Sequence, residues 1–289
     1  MKHLLFISVI FISFSMTSKA QMIEYAIYSS VKKEIDEGYI RAFYNFSMLD
    51  STRMDSDGSK KRYDHQCLEI GYHLSKYYSY ALSVNDSLCK EWRKKNPNAQ
   101  TAPLWLYPDL KMEDWWAEYI WSVYFKDFTT NQFTEYAQMP STISNYQSLE
   151  NIPIQNWEIS KGILTVINGY LCQKASCHFR GREFIAWFTQ EIPISNGPWK
   201  FGGLHGLIMK VYDKDELYIY ECTKVEQLKF KIYAYDYSEF EKMDRIELWE
   251  LQKDMHQNFF KHSKMKLLDG SPIPAHLFPT TLYQPLELE

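Results

Sequence analysis

The sequence predicts an α+β fold, a mostly antiparallel β-sheet, curved and half-barrel-like, packed by a long carboxy-terminal helix. Three observations carry this expectation. Aromatic residues make up 17% of the chain, and many fall in short segments broken by polar turns, as strands do. Successive segments are joined by compact turns at Gly169, Arg180-Gly181-Arg182 and Asp213-Lys214-Asp215, which gives a meander of antiparallel hairpins. Only near the end does the apolar spacing lengthen to three and four residues, the period of a helix. One sheet backed by one helix is an economical way to bury both apolar faces.

The elements follow in order. Residues 22–30 read as a first strand, and 63–71 with 76–83 as a hairpin or sheet pair. Residues 86–95 form a short charged helix or loop ending near Asn96-Pro97, part of a surface excursion near 85–115. Strands resume at 119–128, 132–138, 155–160, 163–168, 170–180 and 183–189. A long loop, 190–206, then leads into strands 207–212 and 217–224. Ser238-Glu239-Phe240-Glu241 has the spacing of a capping box, in which the serine accepts from an early helical amide and Glu241 reaches back. Leu248, Leu251, Met255 and Phe259 continue from it as one apolar stripe, predicting a helix that lies across the sheet. A tail from about residue 266 contains Pro272, Pro274, Pro279 and Pro285, which favours an extended course. Leu286 and Leu288 are placed to anchor its end as an edge strand.

The first twenty residues read as a signal peptide, with basic Lys2, an apolar run from Leu4 to Phe14, and Ser18-Lys19-Ala20 before Gln21. That run is too short for a permanent membrane helix, and no later segment qualifies, so the expectation is an exported chain of the periplasm or outer-membrane periphery. Residues 21–289 then make one domain, long enough to bury a large core. A net charge of −4 and a pI near 6.1 argue against nucleic acid as a partner, because phosphates demand a basic surface.

Five cysteines, an odd number, follow the leader. Cys172 and Cys177 would point to opposite faces of a regular strand, so a bridge between them is geometrically poor. Cys177 reads as a buried thiol, and Cys172 with Cys222 is the preferred disulfide. Cys67 with Cys89 is a second pairing, and a chain without any bridge stays open.

Candidate chemistry concentrates between residues 174 and 206. Lys174, His178, Arg180 and Arg182 surround a tight turn, where an arginine fork can bind a carboxylate or phosphate. Equally, the cluster can pair with Glu183, Glu191 or Glu221 on a solvated face. In the following loop, Asn196-Gly197-Pro198 is turn chemistry, with Pro198 able to open a helical turn at Trp199. Gly202, Gly203 and Gly206 permit positive φ or close backbone approach, and Trp199, Phe201 and Leu204 offer anchors to the sheet. The spacing of a P-loop is absent, as are the zinc-protease, nucleophile-elbow and EF-hand patterns. Asp55-Ser56-Asp57-Gly58 starts like a calcium loop but lacks its downstream ligands. No metal and no cofactor is expected. Trp105, Trp115, Trp116 and Trp121, with Tyr107, Tyr119 and Tyr124, suit core packing or, alternatively, a sugar or an amphipathic partner.

Residues 180–208 resemble the signature of the GLPGLI family, also called Porph_ging, exported proteins of unknown function. Gly169-Tyr-Leu-Cys-Gln-Lys-Ala175, Leu68-Glu-Ile-Gly71, Ser75-Lys-Tyr-Tyr-Ser79 and Pro285-Leu-Glu-Leu-Glu289 extend the resemblance along the chain. His205 departs from it, standing where the family has proline, so the family's chemistry cannot depend on that imidazole. Gln190 and Asn196 depart too. The resemblance implies a non-enzymatic envelope accessory, in the setting of TonB-dependent outer-membrane transport, that binds a receptor or an apolar or peptide ligand. The rivals are an uncharacterised hydrolase built on the basic turn and a purely structural envelope protein.

Overall fold

In a computed structural model of the chain, residues 32–50, 61–99, 103, 105–108, 116–140, 143–258, 262, 271 and 282–289 are described. The expected leader, the strand at 22–30, the calcium-like run at 55–58, Trp115, Phe259 and Pro272, Pro274 and Pro279 lie outside the described residues. Twelve strands form one open, curled, mostly antiparallel sheet. In chain order they are β1 (Lys32–Leu49), β2 (Lys61–Gly71), β3 (Leu74–Ser79), β4 (Ser122–Asp127), β5 (Gln132–Ala137) and β6 (Tyr146–Asn151). These are followed by β7 (Glu158–Ile167), β8 (Tyr170–Phe179), β9 (Arg182–Thr189), β10 (Leu207–Asp213), β11 (Tyr218–Tyr235) and β12 (Glu241–Lys242). Helices α1 (Tyr80–Lys95) and α2 (Glu118–Trp121) lie between β3 and β4, and α3 (Arg245–Gln257) follows β12.

The strand order is β12-β6-β5-β4-β3-β2-β1-β11-β10-β9-β8-β7. Six residues, 152–157, therefore join β6 at one side of the sheet to β7 at the far edge. A chain of that length reaches no more than about 25 Å, so the sheet must curl until its two sides approach. The concave side is filled by rings from most strands. Phe46 of β1 stacks on Tyr220 of β11 at 4.6 Å between centroids. Tyr77 of β3 meets both Tyr220 and Tyr124 of β4, and Tyr124 stacks on Phe133 of β5 at 5.9 Å. Edge-to-face and offset ring contacts of this kind add to the burial of large apolar area.

Several expectations are corrected. β1, which has no counterpart in the sequence reading, is 18 residues long and pairs with both β2 and β11. Its pattern is a clean alternation, with Gly38, Ile40, Ala42, Tyr44, Phe46 and Met48 buried and their neighbours more exposed. The strand expected at 76–83 stops at Ser79, whose hydroxyl accepts from the Leu82 amide and caps α1. The runs 155–160 and 163–168 merge into β7 with a register shift between Ile159 and Leu164. The excursion near 85–115 holds α1, at 16 residues the longest helix described.

The long carboxy-terminal helix is in fact short. α3 has 13 residues, and its cap is Asp244, which accepts from the Ile246 amide at 2.8 Å. Ser238 instead sits in a turn, where its own amide donates to Asp236. A side-chain acceptor two residues ahead of the amide competes with a helical start, and Phe240 is drawn into the core beside Tyr136 and Tyr237. α3 packs beside β6, and its Gln252 reaches Glu135 of β5 at 2.9 Å. No helix among the described residues is long and apolar enough to cross a membrane.

Candidate functional site

The β8–β9 hairpin turns on Arg180 and Gly181, whose φ values are 50° and 77°. Two successive left-handed residues match the twist of a two-residue hairpin. A Cβ on Gly181 would lie 2.8 Å from the Cβ of Leu288, so glycine also lets the tail pack against the turn. Arg180 leaves the turn toward the β6 side of the sheet, where Nη2 donates to Glu150 Oε2 at 2.5 Å. Arg182 is buried; its Nε and Nη2 donate to the Pro285 carbonyl at 3.0 and 2.7 Å, and its Nη1 to Asp213 at 3.3 Å.

Around this fork a buried ionic cluster assembles. Lys200 pairs with Glu150 at 3.0 Å and with Glu287, and Arg245 pairs with Glu287 at 2.9 Å. Burial pushes the Lys200 amine down, but Glu287, Glu150 and Glu135 outweigh it and hold it above its ordinary value. Burial likewise raises Glu150, yet Lys200 and Arg180 pull it below the ordinary carboxylate range. The carboxylates that the arginine fork receives are thus the chain's own. Glu150, Asp213 and Glu287 are the partners, not Glu191 or Glu221.

Lys174 and His178 are not brought to this cluster. Lys174 is half-buried opposite Trp187 in the ladder. His178 is exposed and stands opposite Glu183, whose carboxylate is held low first by its hydrogen bond with Lys214. The left-handed turn at Arg180 breaks the face that a straight strand would have shared among the four residues.

The loop 190–206 runs inward. Trp199 is 2% exposed and Phe201 and Leu204 are equally enclosed, with Phe201 packed against Phe184 of β9 at 4.9 Å and Tyr220 of β11 at 6.3 Å. The helical turn expected at Pro198 is a tight turn instead, closed by the Phe201 amide on the Pro198 carbonyl, with Trp199 at φ 50°. A bulky residue in that region is strained, and the ring contacts with Phe201, Phe179 and Tyr119 hold it there. Gly203 has φ 82°, while Gly206 and Gly197 serve close approach: a Cβ on Gly206 would lie 2.0 Å from the Thr189 carbonyl oxygen, and one on Gly197 2.9 Å from Ile208. Gly202 is held by side chains of the β6–β7 connection, its amide donating to Gln155 and its carbonyl accepting from Trp157. His205 is exposed at the end of the loop.

Two groups at this site escaped the sequence reading. Lys126 of β4 is fully buried, and its amine donates to Asn196 Oδ1 at 3.0 Å, Gly197 O at 3.4 Å and Phe201 O at 2.5 Å. Burial lowers it to about 7. Its three N–H directions match three loop acceptors, but nothing in the local sequence marks a strand lysine as inward-facing. His256 of α3 is enclosed between Tyr283 and Trp116, with Nε2 on Glu118 and Nδ1 3.6 Å from Asp50. Burial lowers its imidazole, but Glu118 and Asp50 together raise it above the ordinary value. The preceding residue, Met255, was legible as apolar stripe; the histidine itself gave no signal.

The expected Cys172–Cys222 bridge is absent, since both thiols are free and buried, as are those of Cys67 and Cys177. β9 and β10 stand between β8 and β11 in the sheet, and strands lie about 4.8 Å apart, so the two thiols are not ladder neighbours. Burial raises Cys172 to about 11 and Cys177 and Cys222 to about 12. Trp116, Trp121, Tyr119 and Tyr124 are core residues, and Tyr107 bonds His65 at 3.1 Å. Among the described residues no group of three or more histidine, cysteine or acidic side chains is arranged to hold a metal ion.

The profile described as "Protein of unknown function (Porph_ging)" matches residues 173–210, which run from β8 through the turn and loop into β10. The segment is similar to that family. It coincides with the hairpin and inward loop just described, whose Trp199, Phe201 and Leu204 are buried. No curated protein matches the chain. Two solved structures of PNGF-II, in P21 and C2 space groups, are similar over 75% of this chain at 16% and 15% identity, each with a TM-score of 0.44. The chain spans about a third of their length, 33%.

Proposed function

We propose that this chain is an exported envelope protein that acts by binding a partner rather than by catalysis, in an accessory role beside outer-membrane, TonB-dependent transport. The leader-like start supports export, and the Porph_ging resemblance supports the setting. The observation that carries the binding role is β7, the edge strand of the sheet among the described residues. Its Ile159, Ile163, Leu164 and Val166 are exposed, Val166 by 66%, and Val166 pairs with Leu171 of β8, itself 51% exposed. Apolar side chains on an unpaired sheet edge are a template for an added strand. Backbone N–H and C=O groups supply the ladder, and the apolar side chains supply the contact area. The partner that fits is an extended, apolar-alternating segment of an envelope protein.

The test is recovery of partners from the native envelope after gentle crosslinking, with wild-type protein beside Leu164→Lys and Val166→Lys. A single outer-membrane barrel in stoichiometric amount, lost with both variants while their melting temperatures hold, is the expected result. Equal recovery with all three proteins contradicts the role of β7.

A further inference from the structure

The segment 282–289 belongs to no strand or helix, yet it is bound as an extended peptide ligand is bound. Its backbone is read at successive positions: Arg182 donates to the carbonyls of Gln284 and Pro285, Tyr119 Oη accepts from the Leu286 amide, the Arg180 carbonyl accepts from the Leu288 amide, and Trp249 Nε1 donates to the Glu287 carbonyl. Its side chains are read too. Tyr283 and Leu286 are enclosed, and Glu287 lies between Lys200 and Arg245. The groove sets Arg180, Lys200 and Arg245 around the acidic Glu287 side chain, while Arg182 reads the Pro285 carbonyl and Arg245 also donates to the main-chain oxygen of Glu289. Main-chain hydrogen bonds with enclosed side chains are how peptide grooves combine affinity with specificity.

We infer that the groove formed by the β8–β9 turn, Tyr119, Lys200 and the first turns of α3 is a recognition site for an extended acidic peptide, with segment 282–289 as its exchangeable occupant and a second copy of this chain as the source of the competing one. Twenty-three residues separate Asn258 from Leu282, a connection that can span up to about 80 Å. The groove of a neighbouring molecule is within that reach, and identical contacts form there, so exchange between copies keeps the contacts and changes only the connection. This inference concerns a different surface from β7 and stands without it.

The experiment uses the full chain with a protease site placed between residues 272 and 280, and a fluorescent peptide of residues 282–289. After cleavage, saturable binding of the peptide is expected, weakened at least tenfold by Glu287→Gln and abolished by Leu286→Asp in the peptide. Two differently labelled copies of the uncut chain should exchange into mixed dimers at raised concentration. If cleavage unfolds the chain, added peptide should restore its circular dichroism. A folded cleaved chain that binds no peptide, binding indifferent to Glu287 and Leu286, or failure of peptide to restore an unfolded cleaved chain overturns the site. An uncut chain that stays monomeric at every concentration overturns the second copy as source.

Discussion

The loop 190–206 and the edge strand β7 invert the usual relation between regularity and burial. The loop has almost no ladder of its own, yet Trp199, Phe201 and Leu204 are enclosed and its polar backbone is satisfied by Lys126, Gln155 and Trp157. β7 is a regular strand apart from its bulge, yet Ile163, Leu164 and Val166 face solvent. Buried irregular backbone is tolerable only when each N–H and C=O finds a partner, and here side chains from β4 and the β6–β7 connection provide them. The signature is therefore a packing device, and the exposed apolar side chains lie elsewhere, on β7.

Substitutions that treat the two regions alike would break this comparison. Gly206→Val should have the largest effect, because any Cβ there meets the Thr189 carbonyl; loss of about 4 kcal/mol or more is expected, seen as little folded protein on purification. Trp199→Ala should lower stability by about 3–5 kcal/mol in denaturant unfolding, since it empties a fully enclosed ring site.

The pH response sharpens the role of Lys126. Its amine sits near 7 in the folded chain against an ordinary 10.5, so between those values the unfolded chain binds more protons and stability from this group rises with pH. That contribution is present above 10.5 and lost as pH falls through 7. Lys126→Met should remove it, so the stability difference, wild type minus variant, should climb between pH 7 and 10.5 in parallel urea titrations. The smallest effects belong to exposed positions. Val166→Lys and His205→Pro should each shift stability by no more than about 0.5 kcal/mol, checked by thermal unfolding.

How much of this was legible depended on whether a residue's neighbours are local. The hairpin from β8 to β9, the strands β4, β5 and β10, and the anchoring roles of Trp199, Phe201 and Leu204 follow from alternation, turn residues and aromatic content. β1 carried the same alternation from Gly38 to Met48, but its charged start, Lys32-Lys33-Glu34, and its glycine hid the period. The cap at Asp244 was missed because Ser238 offered the same local pattern earlier, and only the burial of Phe240 decides between them. The arginine fork of the basic turn was visible in the sequence, but its partners were not: they are Glu150, Asp213 and Glu287 of the same chain, far off in sequence, and Lys174 and His178 stand apart from them. Lys126 and His256 are enclosed by tertiary packing alone. The same long-range packing leaves Cys172 and Cys222 with two strands between them rather than bridged.

Native-state hydrogen exchange tests the central claim most directly, because it reads the loop and β7 in one experiment. The amides of Phe201, Leu207 and Ile208, each bonded within the loop or to it, should exchange only in the slowest, near-global openings, while β7 amides on the unpaired side exchange fast. A loop that exchanges as fast as β7, in protein that is otherwise protected, would contradict the claim that the loop 190–206 is an enclosed packing device.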